Sequence, residues 1–259
     1  MLKLAIAGAT GRTGSAALRL AMEDDRFEVA AALTAPGGSD AGATRAFGSQ
    51  TVTVTDAFDA RCDVLIDFSL PAGTMMWLEY CTARKTAMVI GATGHDAAQL
   101  AAIEAAARSI PIVKASNFSV GITSILGFLG QLARTLGDAY DVELVESHHR
   151  HKVDAPSGTA ITLADAITEA TGRSREKHAR YGRVGAVGER PVGEIGIHAV
   201  RMGEITGQHE IYFSGPGETI TIRHTAHSRD TFASGALRAA AWAAGRAAGL
   251  YAMTDVLAE

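Results

Sequence analysis

The sequence has 259 residues, 47% of them hydrophobic, with 24 basic and 28 acidic side chains for a formal charge of −4. That length allows one large domain or two modest ones, each with its own core. The charge balance and the lack of a polybasic run argue against nucleic acid or an anionic membrane as partner. With no long apolar run and no signal-peptide pattern, a cytoplasmic protein is expected. Cys62 and Cys81 lack metal spacing and read as reduced core thiols.

Leu2 to Ala7 reads as a short buried strand. The turn Gly8-Ala9-Thr10-Gly11-Arg12-Thr13-Gly14 follows at once, then an Ala/Leu-rich helix to about Met22. Strand, glycine turn, helix is the context of a dinucleotide fingerprint, here spaced GxxGxxG rather than GxGxxG. Gly8 permits the tight turn, Gly11 lets a pyrophosphate approach the backbone, and Gly14 lets helix and strand pack closely. Phe27 to Leu33 is a second strand. At its end, where an acid would bind a ribose 2′-hydroxyl, stand Thr34 and Ala35. Nothing there rejects a 2′-phosphate and Arg12 is placed to meet one, so NADPH is favoured over NADH.

Residues 35–50 read as a mobile loop before a strand from Thr51 to Thr55. Strands at Val64 to Phe68, Ala87 to Ile90 and Ile112 to Lys114 alternate with helices, one of them N-capped by Asp96. Repeated strand–turn–helix units predict a parallel sheet whose ligands sit at the strand carboxyl ends. The turns at 8–14, 67–74, 91–95 and 115–121 would then line one crevice. A helix from Gly121 to Leu136 follows. Residues 172–193 read as a long polar loop, and three strands within 195–224 as a β platform. A final helix is expected from Thr231 to Ala248, returning to the first domain. The fold class is therefore α/β: a Rossmann-type dinucleotide-binding domain of residues 1–118 and 229–259, and an α+β domain of residues 119–228 with a mostly antiparallel or mixed sheet.

The densest chemistry lies in Glu146-Ser147-His148-His149-Arg150-His151-Lys152-Val153-Asp154-Ala155-Pro156-Ser157-Gly158-Thr159. It follows an apolar strand, Val142 to Val145, and runs into a helix from Thr159 to Ala170. Ionisable groups this crowded are costly to bury unless a ligand or counter-charge answers them. The helix start offers free N–H groups to an anion. His148 and Lys152, four residues apart, suit a substrate that carries carboxylates and needs a proton.

With these motifs and the closing Ser228-Arg-Asp-Thr-Phe-Ala-Ser-Gly-Ala-Leu-Arg-Ala-Ala-Ala-Trp242, the sequence resembles the 4-hydroxy-tetrahydrodipicolinate (dihydrodipicolinate) reductase family from end to end. The resemblance implies NAD(P)H-dependent reduction of a cyclic imine dicarboxylate in the diaminopimelate route to lysine, and a homotetramer formed through the second domain. By position it makes His148 and Lys152 the proton-delivering pair, without separating them. It makes His149, Lys152, Gly158 and Thr159 contacts to substrate carboxylates. Gly8 to Gly14 become the pyrophosphate loop. Phe68, Gly91, Ala92, Thr93, Ser116, Asn117 and Phe118 become cofactor contacts. Thr34-Ala35 departs from the acid–base pair many members carry, which leaves NADPH versus NADH open.

Three other readings compete with this one. A metal hydrolase built on the histidines lacks an HExxH helix, and adjacent histidines diverge on a strand, so no metal is expected. A semialdehyde dehydrogenase needs a cysteine in a nucleophile turn, which neither cysteine occupies. A non-catalytic NADP-sensing module with a partner-binding histidine loop is the remaining alternative. His198, His209, His224 and His227 read as platform residues. Arg201 and Arg229 read equally as cleft or surface residues.

Overall fold

The computed structural model describes residues 1–47 and 50–258. In chain order the elements are β1 (Leu2–Ala7), α1 (Arg12–Met22), β2 (Phe27–Leu33), β3 (Thr44–Phe47), β4 (Gln50–Thr55), β5 (Val64–Asp67), α2 (Pro71–Arg84), β6 (Ala87–Ile90), α3 (Ala97–Ala107), β7 (Pro111–Lys114) and α4 (Val120–Leu136). Then come β8 (Asp141–His148), α5 (Gly158–Ala170), α6 (Arg175–His178), β9 (Ala179–Tyr181), β10 (Ile195–Arg201), β11 (Gly207–Gly215), β12 (Glu218–Ala226), α7 (Asp230–Ala243), β13 (Gly249–Tyr251) and α8 (Met253–Leu257). They form two compact units, Met1–Val120 with Arg229–Glu259, and Gly121–Ser228.

The first unit is an eight-stranded sheet in the order β13-β7-β6-β5-β1-β2-β4-β3. Every pairing is parallel except that of β3 with β4. The central strands are continuous apolar runs because both faces are covered. Leu4, Ile6, Val64, Ile66, Val89 and Val113 pack with α1, α7 and α8, while Ala5, Ala7, Leu65, Met88, Ile90 and Ile112 pack with α2 and α3. Asp96 caps α3 in a capping box with Gln99. Small residues bring α7 close: a Cβ on Gly235 would stand 1.8 Å from the Phe118 carbonyl oxygen. Cys62 and Cys81 are buried free thiols.

The second unit is a five-stranded mixed sheet, β12-β11-β8-β10-β9, in which β8, β9 and β10 are parallel and β11 antiparallel to β8 and β12. One face buries Leu144, Ile195, Ile197, Ile211 and Phe213 against Leu129 of α4 and Leu163 and Ile167 of α5. Among the described residues no helix is long and apolar enough to cross a membrane.

Four stretches differ from the sequence reading. Thr44–Phe47, expected within a loop, is an edge strand paired with β4; residues 48 and 49 of that loop lie outside the described residues. The expected loop 172–193 contains α6 and β9. Its remainder is tied to β8: Arg183 Nη2 donates to Glu143 Oε1 at 2.7 Å, and Arg190 Nη2 to the Val142 carbonyl at 2.9 Å. Burial works to raise the Glu143 pKa, but hydrogen bonds from Arg183, His198 and Arg190 outweigh it and hold it at about 2. β8 runs on to His148, so the charged segment begins inside the strand. The last helix stops at Ala243, and residues 249–251 add a parallel edge strand beside β7.

Candidate active site

In the first unit Ala7, Asp67, Ile90 and Lys114 form one rung at the carboxyl end of four adjacent strands. A turn follows each, and the turns touch. Gly8 has φ +70, and a Cβ there would lie 2.5 Å from the Phe68 carbonyl oxygen. A Cβ on Gly14 would lie 2.0 Å from the Gly8 carbonyl oxygen, so α1 starts against the turn itself. Gly91 is flanked by rings: its Cβ would meet Phe68 at 2.4 Å and Phe118 at 3.3 Å, and those rings stack edge-on with centroids 6.2 Å apart. Asn117 Oδ1 accepts from Ser119 N at 2.7 Å and fixes the fourth turn. Ala92 is buried; Thr93 and Ser116 are exposed along the same edge.

Gly11 caps α1 with no side-chain hydrogen bond, and the first turn holds no acid. The α1 N-terminus therefore keeps N–H groups and a positive dipole end for an anion. The close turn, the glycine cradle and this helix start fit a dinucleotide pyrophosphate. Asp67 is fully buried below the second turn and accepts from Ser69 N at 2.8 Å. Burial raises its pKa, against the hydrogen bonds of Ser69 and Thr74.

In the second unit the helix-covered sheet face turns polar at the end of β8. Residues two apart on a strand share a face, so Glu146 and His148 continue the line of Leu144. Glu146 is fully buried. Its Oε2 lies 2.6 Å from His148 Nδ1. It also accepts from Arg201 Nη1 at 2.9 Å and Nη2 at 2.8 Å, and from Ser157 N at 3.0 Å. Burial pushes its pKa up, yet the bonds from His148 and Arg201 prevail and hold it at about 2. Opposite Glu146 on β11 lies His209, whose Nε2 shares a 3.0 Å hydrogen bond with Ser157 Oγ. Burial first, then the nearby charge of His148, lowers the His209 pKa to about 3. The two rings meet edge-on at 5.3 Å.

Ser157 Oγ also accepts from Ala160 N at 3.1 Å as the cap of α5. The α5 N-terminus, with no acid in its first turn, thus sits against this cluster. A Cβ on Gly158 would meet nothing within 4 Å, so that corner is open, while the next residue, Thr159, is buried, as is His149 after β8. Lys152 Nζ donates to Asp154 Oδ1 at 2.8 Å, and its charge still bears on His209. Three partners were not legible as a group in the sequence: Glu146 as a buried anchor, Arg201 as its counter-charge and His209 as a buried member. Their signal is strand register, which sets Arg201 beside His148 and His209 beside Glu146. Among the described residues no three His, Cys, Asp or Glu side chains are grouped to hold a metal ion.

A parallel sheet with a dinucleotide turn after its first strand, joined to a second unit with a buried imidazole–carboxylate cluster, defines a Rossmann-type nicotinamide-dependent enzyme. The comparisons carry this further. Residues 2–118 match the family described as dihydrodipicolinate reductase, N-terminus, and residues 121–257 its C-terminus. The 4-hydroxy-tetrahydrodipicolinate reductase of Thiobacillus denitrificans is 48% identical, with 99% of this chain and 98% of the relative covered. That of Myxococcus xanthus is 45% identical at the same coverage. The dipicolinate-bound dihydrodipicolinate reductase of Paenisporosarcina sp. TG-14 superposes with a TM-score of 0.75 at 25% identity, covering 97% of each chain. The chain belongs to the dihydrodipicolinate reductase family and is an enzyme. Nothing in the fold or in these relatives supports a non-catalytic nucleotide-sensing module.

Proposed function

We propose that this enzyme reduces 4-hydroxy-tetrahydrodipicolinate to tetrahydrodipicolinate in the diaminopimelate route, with NADPH preferred over NADH. The observation that carries the reading is the juxtaposition of a buried, charge-anchored imidazole with the open N-terminus of α5. Residues 1–118 with 229–259 bind cofactor, and residues 119–228 bind the dicarboxylate. Gly8, Ala9, Thr10, Gly11, Arg12, Thr13 and Gly14 hold the pyrophosphate end. Phe68, Gly91, Ala92, Thr93, Ser116, Asn117 and Phe118 hold the nicotinamide end. When bound, the nicotinamide supplies a hydride.

Gly158, Thr159 and the α5 N–H groups take one substrate carboxylate, and His149 and Lys152 hold the diacid by hydrogen bond and charge. Binding a carboxylate draws Lys152 from Asp154, its partner in the structure. Loss of water from the hydroxylated ring gives a conjugated imine. Hydride addition to that system leaves an electron pair that takes a proton from His148 or Lys152. The homotetramer and the cytoplasmic location are inferred from the family resemblance.

The test is the double variant His148→Ala with Lys152→Ala. A positioned acid is worth about 10²–10⁴ in rate, so turnover should fall at least a hundredfold while NADPH still quenches or shifts protein fluorescence. Near-normal turnover would refute the assignment.

A further inference from the structure

Resting on the proposed role of His148, the geometry points to Nε2 as the nitrogen that exchanges the proton, with Glu146 as its positioning residue and Arg201 as the positioning residue of Glu146. Three observations carry this. First, His148 Nδ1 lies 2.6 Å from Glu146 Oε2, and the other Glu146 oxygen is taken by Ser157 N–H and Arg201 Nη2. An ionised carboxylate only accepts, so Nδ1 must carry a proton whether the ring is neutral or charged. Every change of protonation state then falls on Nε2. Second, Gly207 of β11 faces that nitrogen. A Cβ there would come within 3.1 Å of His148 Nε2, so any other residue at 207 would crowd that nitrogen.

Third, the carboxylate cannot turn away. Arg201 reaches it with two nitrogens, and Arg201 Nη2 is itself held by the Asp154 carbonyl at 2.7 Å. Asp154 is also the residue whose carboxylate holds Lys152. One backbone position therefore links the counter-charge of the histidine anchor to the lysine. The charged and titratable groups facing the imidazole from the strands around it are Glu146 on its own strand, Arg201 on β10 and His209 on β11. Of these only Glu146 accepts from the ring, so it alone selects the tautomer. This positioning is also why the cluster tolerates a buried carboxylate: a fully desolvated anion with four donors is satisfied, whereas one with none is not.

The experiment uses the full chain. Long-range proton–nitrogen spectra of the labelled protein should place the neutral His148 proton on Nδ1 and show Nε2 as the titrating nitrogen; a neutral ring protonated on Nε2 would overturn the inference. Glu146→Gln offers an amide that can donate to Nδ1, so it should move the proton to Nε2 and cut turnover by about 10²–10⁴, with the NADPH KM unchanged. Glu146→Gln near wild-type turnover, beside an inactive His148→Ala, overturns the positioning role and leaves the proposed reaction standing. An active His148→Ala overturns the inference and leaves Lys152 as the proton donor of the proposed reaction. Should Glu146→Gln not fold, the tautomer measured in the unaltered protein decides.

Discussion

The two proposed anion sites of this protein are built by opposite means. The turn between β1 and α1 is made by leaving atoms out: three glycines and a helix start whose cap takes no side-chain hydrogen bond and whose first turn holds no acid. The cluster at the end of β8 is made by putting charges in: a buried carboxylate that takes its hydrogen bonds from an arginine, an imidazole and a backbone N–H, with a second imidazole held by Ser157. The first works through sterics and fixed backbone dipoles, which do not titrate. The second works through ionisation, and its strength depends on every partner keeping its protonation state. One should therefore fail when a methyl group is added, the other when pH or charge is altered.

Adding the methyl group has the largest expected effect. In Gly14→Ala the new Cβ must clear the Gly8 carbonyl oxygen, a 2.0 Å approach to backbone that no rotamer relieves. Helix and turn must separate, at a cost of about 1–3 kcal/mol in stability and with loss of the pyrophosphate cradle. NADPH binding by calorimetry should become undetectable, while binding of a dicarboxylate such as dipicolinate to the second unit persists. NADPH affinity equal to wild type would show that the cradle is not set by close packing.

The charged cluster should respond to acid instead. His209 has its folded pKa lowered to about 3 by burial, with the charges of His148, His224 and Lys152 adding and Glu146 opposing. The unfolded chain takes up this proton below the ordinary value of 6.5, and the folded chain does not. Stability from this group is present above pH 6.5 and declines as pH falls towards 3. Its slope is on the order of 1 kcal/mol per pH unit. Glu146, held at about 2 from an ordinary 4.5, loses its contribution only across that lower window. Urea midpoints measured between pH 7 and 5 should thus decline for the wild type and flatten for His209→Gln. His95 and His224, also lowered by burial, act in the same direction in both proteins and cancel in the difference. Parallel curves would mean that His209 is protonated in the fold.

The same contrast explains what could be read from the sequence. The glycine turn is local: its three glycines fall within seven residues, between an apolar run and a helix pattern, so its structure follows from spacing. The parallel sheet is legible for the same reason, as apolar runs separated by helices. The charged segment was conspicuous, but its wiring was not. Arg201 meets Glu146 across 55 residues and His209 meets Ser157 across 52, contacts that exist only once β10 and β11 take their register on β8. The missed elements share a different cause. β3, β9 and β13 are edge strands of three or four residues with little buried side chain, so no alternation marks them. The alanine run through Ala248 looks helical by propensity, yet the chain leaves the helix at Ala243 to pair residues 249–251 with β7.

The smallest effect bears on which nicotinamide cofactor the steric site prefers. Its one charged side chain is Arg12, the exposed first residue of α1. At the end of β2, Thr34 gives its N–H to the Thr55 carbonyl, and Gly37 gives its N–H to Asp56 at 3.0 Å. Asp56 is therefore occupied with the backbone of the loop, and positions 34 and 35 carry no acid. On the proposed NADPH reading, a 2′-phosphate would meet Arg12 and a 2′-hydroxyl would gain nothing from it. An exposed charge contact of this kind is worth about 1 kcal/mol or less, roughly a fivefold change in affinity. Arg12→Ala should accordingly raise the KM for NADPH by up to about fivefold and leave that for NADH unchanged, with kcat unaltered for both. The NADPH effect should shrink as salt is raised, because an exposed pair is screened. Equal losses for the two cofactors would mean that Arg12 serves the shared pyrophosphate, and that this site, like the one in the second unit, relies on a side-chain charge after all.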